Sequence, residues 1–190
     1  MDDPRSMLER VLDELWGRVG ERFRGEERRP LVLELHAAGR VLGEDVDEVD
    51  WIRADARGEE GIALVGLCHE IAPLPEPPDV VLSVDGLQHD PVWGATVRHA
   101  VDLVRLGGVI ALAWHSPEAP SEPDGTSPAT NGFEAGTYRA GLSVSAVLGA
   151  LCGAAFRSGR DVGDVRTFSL PGTRGLVAEV LPAPHPMAGS

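Results

Sequence analysis

The sequence predicts an α/β fold built on a mostly parallel sheet, and three observations carry that prediction. First, Asp79-Val80-Val81-Leu82-Ser83-Val84 is an apolar run that breaks into the polar loop Asp85-Gly86-Leu87-Gln88-His89. Asp90-Pro91 then opens an amphipathic helical stretch, Gly107-Gly108 turns it, and a second apolar run follows from Val109 to Trp114. Strand, loop, helix, turn and strand make one βαβ unit. Second, Leu31-Val32-Leu33-Glu34-Leu35 is short and apolar enough for a central parallel strand. Third, the chain keeps alternating short apolar runs with helical periods, which favours right-handed crossovers in one sheet.

The elements follow in order. Residues 3–24 read as a helix: Asp3 is an N-cap, Pro4 takes the tolerated first position, and Leu8, Val11, Leu12, Leu15, Trp16, Val19 and Phe23 share a face. A charged link, Arg22 to Arg29, leads to the first strand at Leu31–Leu35. Val49–Ala54 is the second strand, Ile62–Leu67 the third and Asp79–Val84 the fourth. A helix over Pro91–Leu106, capped by Asp90, precedes the fifth strand at Val109–Trp114. Residues 115–136, rich in Pro, Ser, Gly and Glu, form a long loop of the kind that is usually functional or disordered. Ser143–Phe156 is a further helix, and two strands near Asp164–Ser169 and Leu176–Leu181 close the sheet. The domain plan is a helix and linker over 1–29, an α/β domain over 30–182 and a flexible tail over 183–190.

The first half of the domain is unusually economical. About a dozen residues join the first two strands, about seven the next pair and about eleven the third to the fourth. Crossovers that contain a helix need at least about ten to twelve residues. The helices there should therefore be vestigial or replaced by loops. The N-terminal helix or a second copy of the chain would then cover the apolar sheet face, so a homo-oligomer is one expectation.

Composition narrows the function. The formal charge is −13, and all 17 basic residues are Arg. Nucleic-acid binders need a basic footprint, and anionic membranes attract basic surfaces, so neither partner is expected. A neutral or cationic small molecule, or another protein, fits better. The acidic, helical N-terminus is neither a secretory signal nor a transit peptide. Cys68 and Cys152 are too few for a disulfide framework and lack metal-type spacing. A cytoplasmic protein with reduced thiols and no bound metal is the expectation.

In open α/β sheets, ligands sit at the carboxyl ends of the strands, where strand order reverses. The residues at those ends are Glu34, His36, Ala37, Ala38, Gly39 and Arg40 after strand one, and Asp55 after strand two. Cys68, His69 and Glu70 follow strand three, Ser83, Asp85, Gln88 and His89 strand four, and His115 and Ser116 strand five. Four of the six histidines fall in this set. His89 is the candidate general base, because an imidazole titrates near neutral pH; packing and capping beside Asp90 is the plainer alternative. Tyr138, the only tyrosine, follows the long loop and is a candidate substrate contact or a packing residue. Cys68 reads as a buried small hydrophobe, with His69 the only base near it in sequence.

Several of these segments together resemble the class I S-adenosylmethionine (SAM) dependent methyltransferases. The resemblance rests on Trp51-Ile52-Arg53-Ala54-Asp55-Ala56-Arg57, Val65-Gly66-Leu67-Cys68-His69-Glu70-Ile71, the run from Asp79 to Trp93, Leu106-Gly107-Gly108-Val109 and Tyr138-Arg139. It implies a Rossmann-like sandwich with SAM as cofactor and methyl transfer to a small molecule. It further implies that Asp55 accepts from the ribose hydroxyls and that Glu34 orients the methionine end. His36, Ala38, Gly39, Cys68, His69, Ser83 and Asp85 would line the cofactor pocket.

Three departures bear on that pocket. The family's glycines after strand one are His36, Ala38 and Arg40 here, its adenine-reading acid is Leu67, and its later Glu is Gln88. A catalytically silent homologue that serves as a binding or partner module is therefore the rival expectation. A nicotinamide enzyme is weaker, since no G-x-G-x-x-G follows strand one.

Overall fold

The computed structural model of the protein describes residues 28–37, 49–115, 141–170 and 172–184, together with Gly17 and Phe23. Seven strands form one sheet: β1 Leu31–Leu35, β2 Asp50–Asp55, β3 Leu64–Val65, β4 Val80–Val84, β5 Val109–His115, β6 Arg160–Leu170 and β7 Thr173–Pro182. Two helices, α1 Trp93–Leu103 and α2 Val144–Arg157, complete the described elements. The strand order is β3-β2-β1-β4-β5-β7-β6. The first five strands run parallel, while β7 is antiparallel to both β5 and β6. This is the expected mostly parallel sheet with a reversed strand near the C-terminus.

Strand alternation sorts the core onto two faces. Leu33, Leu35, Val81, Ile110, Leu112, Leu176 and Ala178 face α1 and α2, meeting Val97, Val101, Val147 and Leu151. Val32, Val80, Leu82, Val109, Ala111 and Val177 form the second face, where Phe23 is buried. Phe23 is helical, and the Arg105 guanidinium lies 5.2 Å from its ring centroid. The N-terminal segment thus contributes to the face it was expected to cover; apart from Gly17 and Phe23, both helical, the expected 3–24 helix lies outside the described residues.

The early crossovers are short. No helix occurs between β2 and β3 or between β3 and β4, and both stretches lie wholly within the described residues. Instead, Pro-rich chain after β3 is tied to α1 by His99, whose Nε2 lies 2.6 Å from the Ile71 carbonyl oxygen. Most of the β1–β2 connection lies outside the described residues.

The boundaries differ from expectation where local chemistry intervenes. β3 shrinks to a two-residue edge strand, paired only at Ala54–Leu64 and Asp55–Val65. The helix opened by Asp90 begins at Trp93, because the Asp90 carboxylate first closes a turn on the Val92 amide (2.8 Å). Ser143 caps α2 by accepting from the Ala146 amide at 3.1 Å. The closing strands are 11 and 10 residues long, with a register shift between Gly163 and Arg166. The Gly107-Gly108 turn is sterically required. Gly107 has a φ of 77°, and a Cβ on Gly108 would lie 2.7 Å from the Asp79 carbonyl oxygen.

Opposite the strand tips, Asp79 holds the base of the sheet together. Its carboxylate takes a bidentate pair from Arg28 (2.7 and 2.8 Å), the Leu31 amide at 2.7 Å and a bond from Arg105 Nε. Burial pushes this carboxyl up, but the Arg28, Leu31 and Arg105 donors outweigh burial and hold it below its ordinary range.

Candidate functional site

β1 pairs with β2 on one side and β4 on the other, so strand order reverses between β1 and β4. Leu35 lies level with Ser83 and Ala54 in register, which brings the carboxyl tips of β1, β2 and β4 to one edge. A crevice at such a reversal is where an α/β sheet binds its ligand.

His36 leaves β1 in the left-handed region, at φ 60°. Its side chain is buried rather than turned toward solvent. Nδ1 lies 2.9 Å from Ser83 Oγ. Nε2 makes no hydrogen bond and lies 3.6 Å from Asp90 Oδ2, so charge attraction pairs them. Burial by itself pushes the imidazole down; the Cys68 and Asp90 side chains facing it outweigh burial and raise its pKa from 6.5 to about 10. Burial likewise pushes Asp90 up, but His36, Thr96 and the Val92 amide hold it below the usual carboxylate range. The imidazole beside Cys68 is therefore His36, which lies far from it in sequence, in addition to its neighbour His69. Cys68 itself is fully buried.

Other expected cofactor residues have definite partners. Glu34 is buried, and its Oε2 meets Arg53 Nε of β2 at 3.3 Å, the ion-pair arrangement rather than an open carboxylate. Asp55 is buried at the β2 tip, and its Oδ1 accepts the Arg57 amide at 2.9 Å and faces Arg57 Nε at 3.8 Å. Arg57 Nε and Nη2 are buried without a hydrogen-bond partner. His69 Nε2 sits 3.8 Å from Glu70 Oε1. Among the described residues, no group of three or more His, Cys, Asp or Glu side chains is placed to hold a metal ion.

A second set assembles at the tips of β4 and β5. Asp85 also has a positive φ, 55°, and its amide donates to the Ala113 carbonyl at 2.9 Å. Gln88 Nε2 donates to Asp85 Oδ1 at 2.5 Å and to its backbone oxygen at 3.2 Å. His115 Nε2 lies 3.0 Å from Asp85 Oδ1, with 15% of the side chain exposed. His89 sits on the 3-10 turn Leu87–His89 and is largely buried. Sequence reading placed Asp85, Gln88 and His115 on one rim without pairing them. The signal for the pairing is register: Val84 is level with Ala113, so the next residues of the two strands converge. Ala38, Gly39 and Tyr138 lie outside the described residues.

His36 takes the left-handed backbone that a glycine there would take, and its side chain is buried against Ser83 and Asp90. A carboxylate, the group that can accept from paired ribose hydroxyls, is buried at the β2 tip. These residues fit an adenosyl ligand.

No protein-family model matches the chain, and no curated protein sequence matches it. Solved structures do. The chain is similar to the glycopeptide N-methyltransferase MtfA complexed with SAM, at 18% identity and a TM-score of 0.56, covering 87% of this chain and 93% of that one. The N-methyltransferase NodS from Bradyrhizobium japonicum, solved with S-adenosyl-L-homocysteine, gives 12% identity and a TM-score of 0.56, covering 93% and 87%. The [4+2]-cyclase SpnF gives 12% identity and a TM-score of 0.55, covering 90% and 81%. Together with the strand order and the reversed β7, these likenesses show that the chain has the fold of the class I SAM-dependent methyltransferases across most of its length.

Proposed function

We propose that the protein is a SAM-dependent methyltransferase acting on a small molecule. The observation that supports this reading is the reversal of strand order between β1 and β4, with Asp55 buried at the adjacent β2 tip and His36 buried just after β1. Bound SAM would supply an electrophilic methyl group. The chain's own residues then bind and orient. Asp55 accepts from the ribose hydroxyls, the β1 tip lets the cofactor approach the backbone, and the β4 and β5 tips face the acceptor. Transfer of a methyl group asks mainly for alignment of two reactants, which a rigid rim supplies. The formal charge of −13 favours a neutral or cationic acceptor over an anionic polymer.

Calorimetry with SAM and S-adenosylhomocysteine tests the reading. We expect one-to-one binding of both, weakened about 10- to 100-fold by Asp55→Ala, the loss of hydrogen bonds to a charged group. No binding of either ligand to the wild type would remove the enzyme reading. A second reading has one observation in its favour: Asp55 already accepts from the Arg57 amide and faces its guanidinium. On that reading the carboxylate is a turn cap, and the protein is a silent binding module.

A further inference from the structure

A buried polar atom without a hydrogen-bond partner is costly, and folded proteins keep few of them. His36 Nε2, Arg57 Nε and Nη2, His69 Nδ1 and Gln88 Oε1 are such atoms. Their residues come soon after the carboxyl ends of β1, β2, β3 and β4, the edge at which strand order reverses. Arg57 contributes two of them. Nε and Nη2 lie on one edge of the planar guanidinium, so they donate in parallel to two neighbouring oxygens. The rest of the residue is held in place. Nη1 meets Glu59 Oε1 at 3.3 Å, and the Arg57 amide donates to Asp55 Oδ1 at 2.9 Å. Nε itself stands 3.8 Å from the same Asp55 oxygen, within ion-pair range and too far for a hydrogen bond. A buried carboxylate and a two-donor edge thus adjoin at the β2 tip.

Charge narrows what this edge can take. A guanidinium edge commonly binds a carboxylate or a phosphate. This one already faces Asp55 and Glu59, so a further anion would meet two carboxylates around one cation. Neutral oxygens meet no such repulsion. A hydroxyl donates one hydrogen and keeps lone pairs for a donor. A vicinal diol can therefore bond a carboxylate and a guanidinium at once.

We infer that Arg57 is a second ribose-binding residue. Its Nε and Nη2 donate to the two diol oxygens whose hydrogens Asp55 accepts, and the pair makes the site selective for ribose over deoxyribose. This rests on the SAM-binding reading above and adds to it a residue that reads the sugar oxygens as acceptors. Glu59 holds the third guanidinium nitrogen, which keeps the donor edge oriented between binding events.

Calorimetry on the full chain, with S-adenosylhomocysteine and its 2′-deoxy and 3′-deoxy analogues, tests the inference. Each deoxy analogue should bind wild type about 10- to 100-fold more weakly, the loss of hydrogen bonds to charged groups. Arg57→Met should bind S-adenosylhomocysteine about 10-fold more weakly and should discriminate against each analogue at least about 3-fold less, the coupling expected of groups in contact. Arg57→Lys keeps a cation for Glu59 but lacks the two-donor edge, so it should lose the same discrimination while its circular dichroism matches wild type. In an Asp55→Asn background, Arg57→Met should weaken S-adenosylhomocysteine further. No further weakening there would make Arg57 a mere support for Asp55 and overturn the direct contact. Wild-type discrimination in Arg57→Met or Arg57→Lys overturns it too. Inorganic phosphate that competes with S-adenosylhomocysteine on wild type but not on Arg57→Met would overturn the neutral diol in favour of an anion. A wild type that binds none of the three ligands removes the SAM reading itself, whereas binding with unchanged discrimination in the variants removes Arg57 alone.

Discussion

His36 fills the space that a side chain on Gly86 would need: a Cβ built on Gly86 would lie 2.1 Å from the His36 Cβ. The two residues follow β1 and β4, at the reversal of strand order. Gly86 has an ordinary φ of −112°, and its requirement is room rather than backbone freedom.

Gly86→Ala should therefore destabilise the fold by about 1 to 3 kcal/mol, the usual cost of overpacking a filled site. Urea unfolding will read this as a lower midpoint at unchanged slope. In a His36→Gly background the obstruction is gone and glycine suits φ 60°. The same alanine should then cost less than about 0.5 kcal/mol, a coupling typical of touching residues. Additive effects would show that the two positions do not compete for space.

His36 should remain protonated well above neutral pH. Its folded pKa of about 10 exceeds the ordinary 6.5, so the stability it contributes is fully present below pH 6.5 and is lost as pH rises through 10. Carbon-detected imidazole spectra should show a charged His36 ring at pH 8. The stability difference between wild type and His36→Gly should shrink between pH 6.5 and 10. A neutral ring at pH 7 would mean that burial outweighs Cys68 and Asp90.

Asp79 should govern acid stability at the other end of the sheet. Its folded pKa is depressed, so its contribution is present above the unfolded value, about 3.9, and is lost as pH falls through the folded one. Asp79→Asn should cost roughly 2 to 3 kcal/mol at pH 7, in line with hydrogen bonds to a charged group. The gap between wild type and variant should close as pH falls through the depressed folded value. A gap that persists into strong acid would place the contribution in packing.

Much of the fold is legible in the chain because its strands carry their own period. Asp79–Val84 and Val109–Trp114 differ from β4 and β5 by one residue at one end each, since apolar runs flanked by Pro and Gly-Gly leave little freedom. The closing hairpin is less legible. Arg160, Asp161 and Asp164 lie in β6, and every residue of that edge strand is half-buried or exposed, so hydrophobic alternation marks only its far end. The site is legible as a list of tip residues but not as a set of partners. Whether His36 points into the crevice or away from it depends on the sign of one φ angle, which composition does not encode. The adjacent Gly86 is the clue, since a glycine directly after a strand can mark close approach of another chain segment. The Glu34–Arg53 and Asp85–His115 pairs depend on the register of neighbouring strands, which exists only once the sheet has formed.

Crystals grown with S-adenosylhomocysteine give the most direct test of the ligand site. We expect adenosyl density over the tips of β1 and β2, with the ribose hydroxyls within hydrogen-bond distance of the Asp55 carboxylate and His36 still turned inward. Density at another edge of the sheet, or an empty crevice at saturating ligand, would contradict the account.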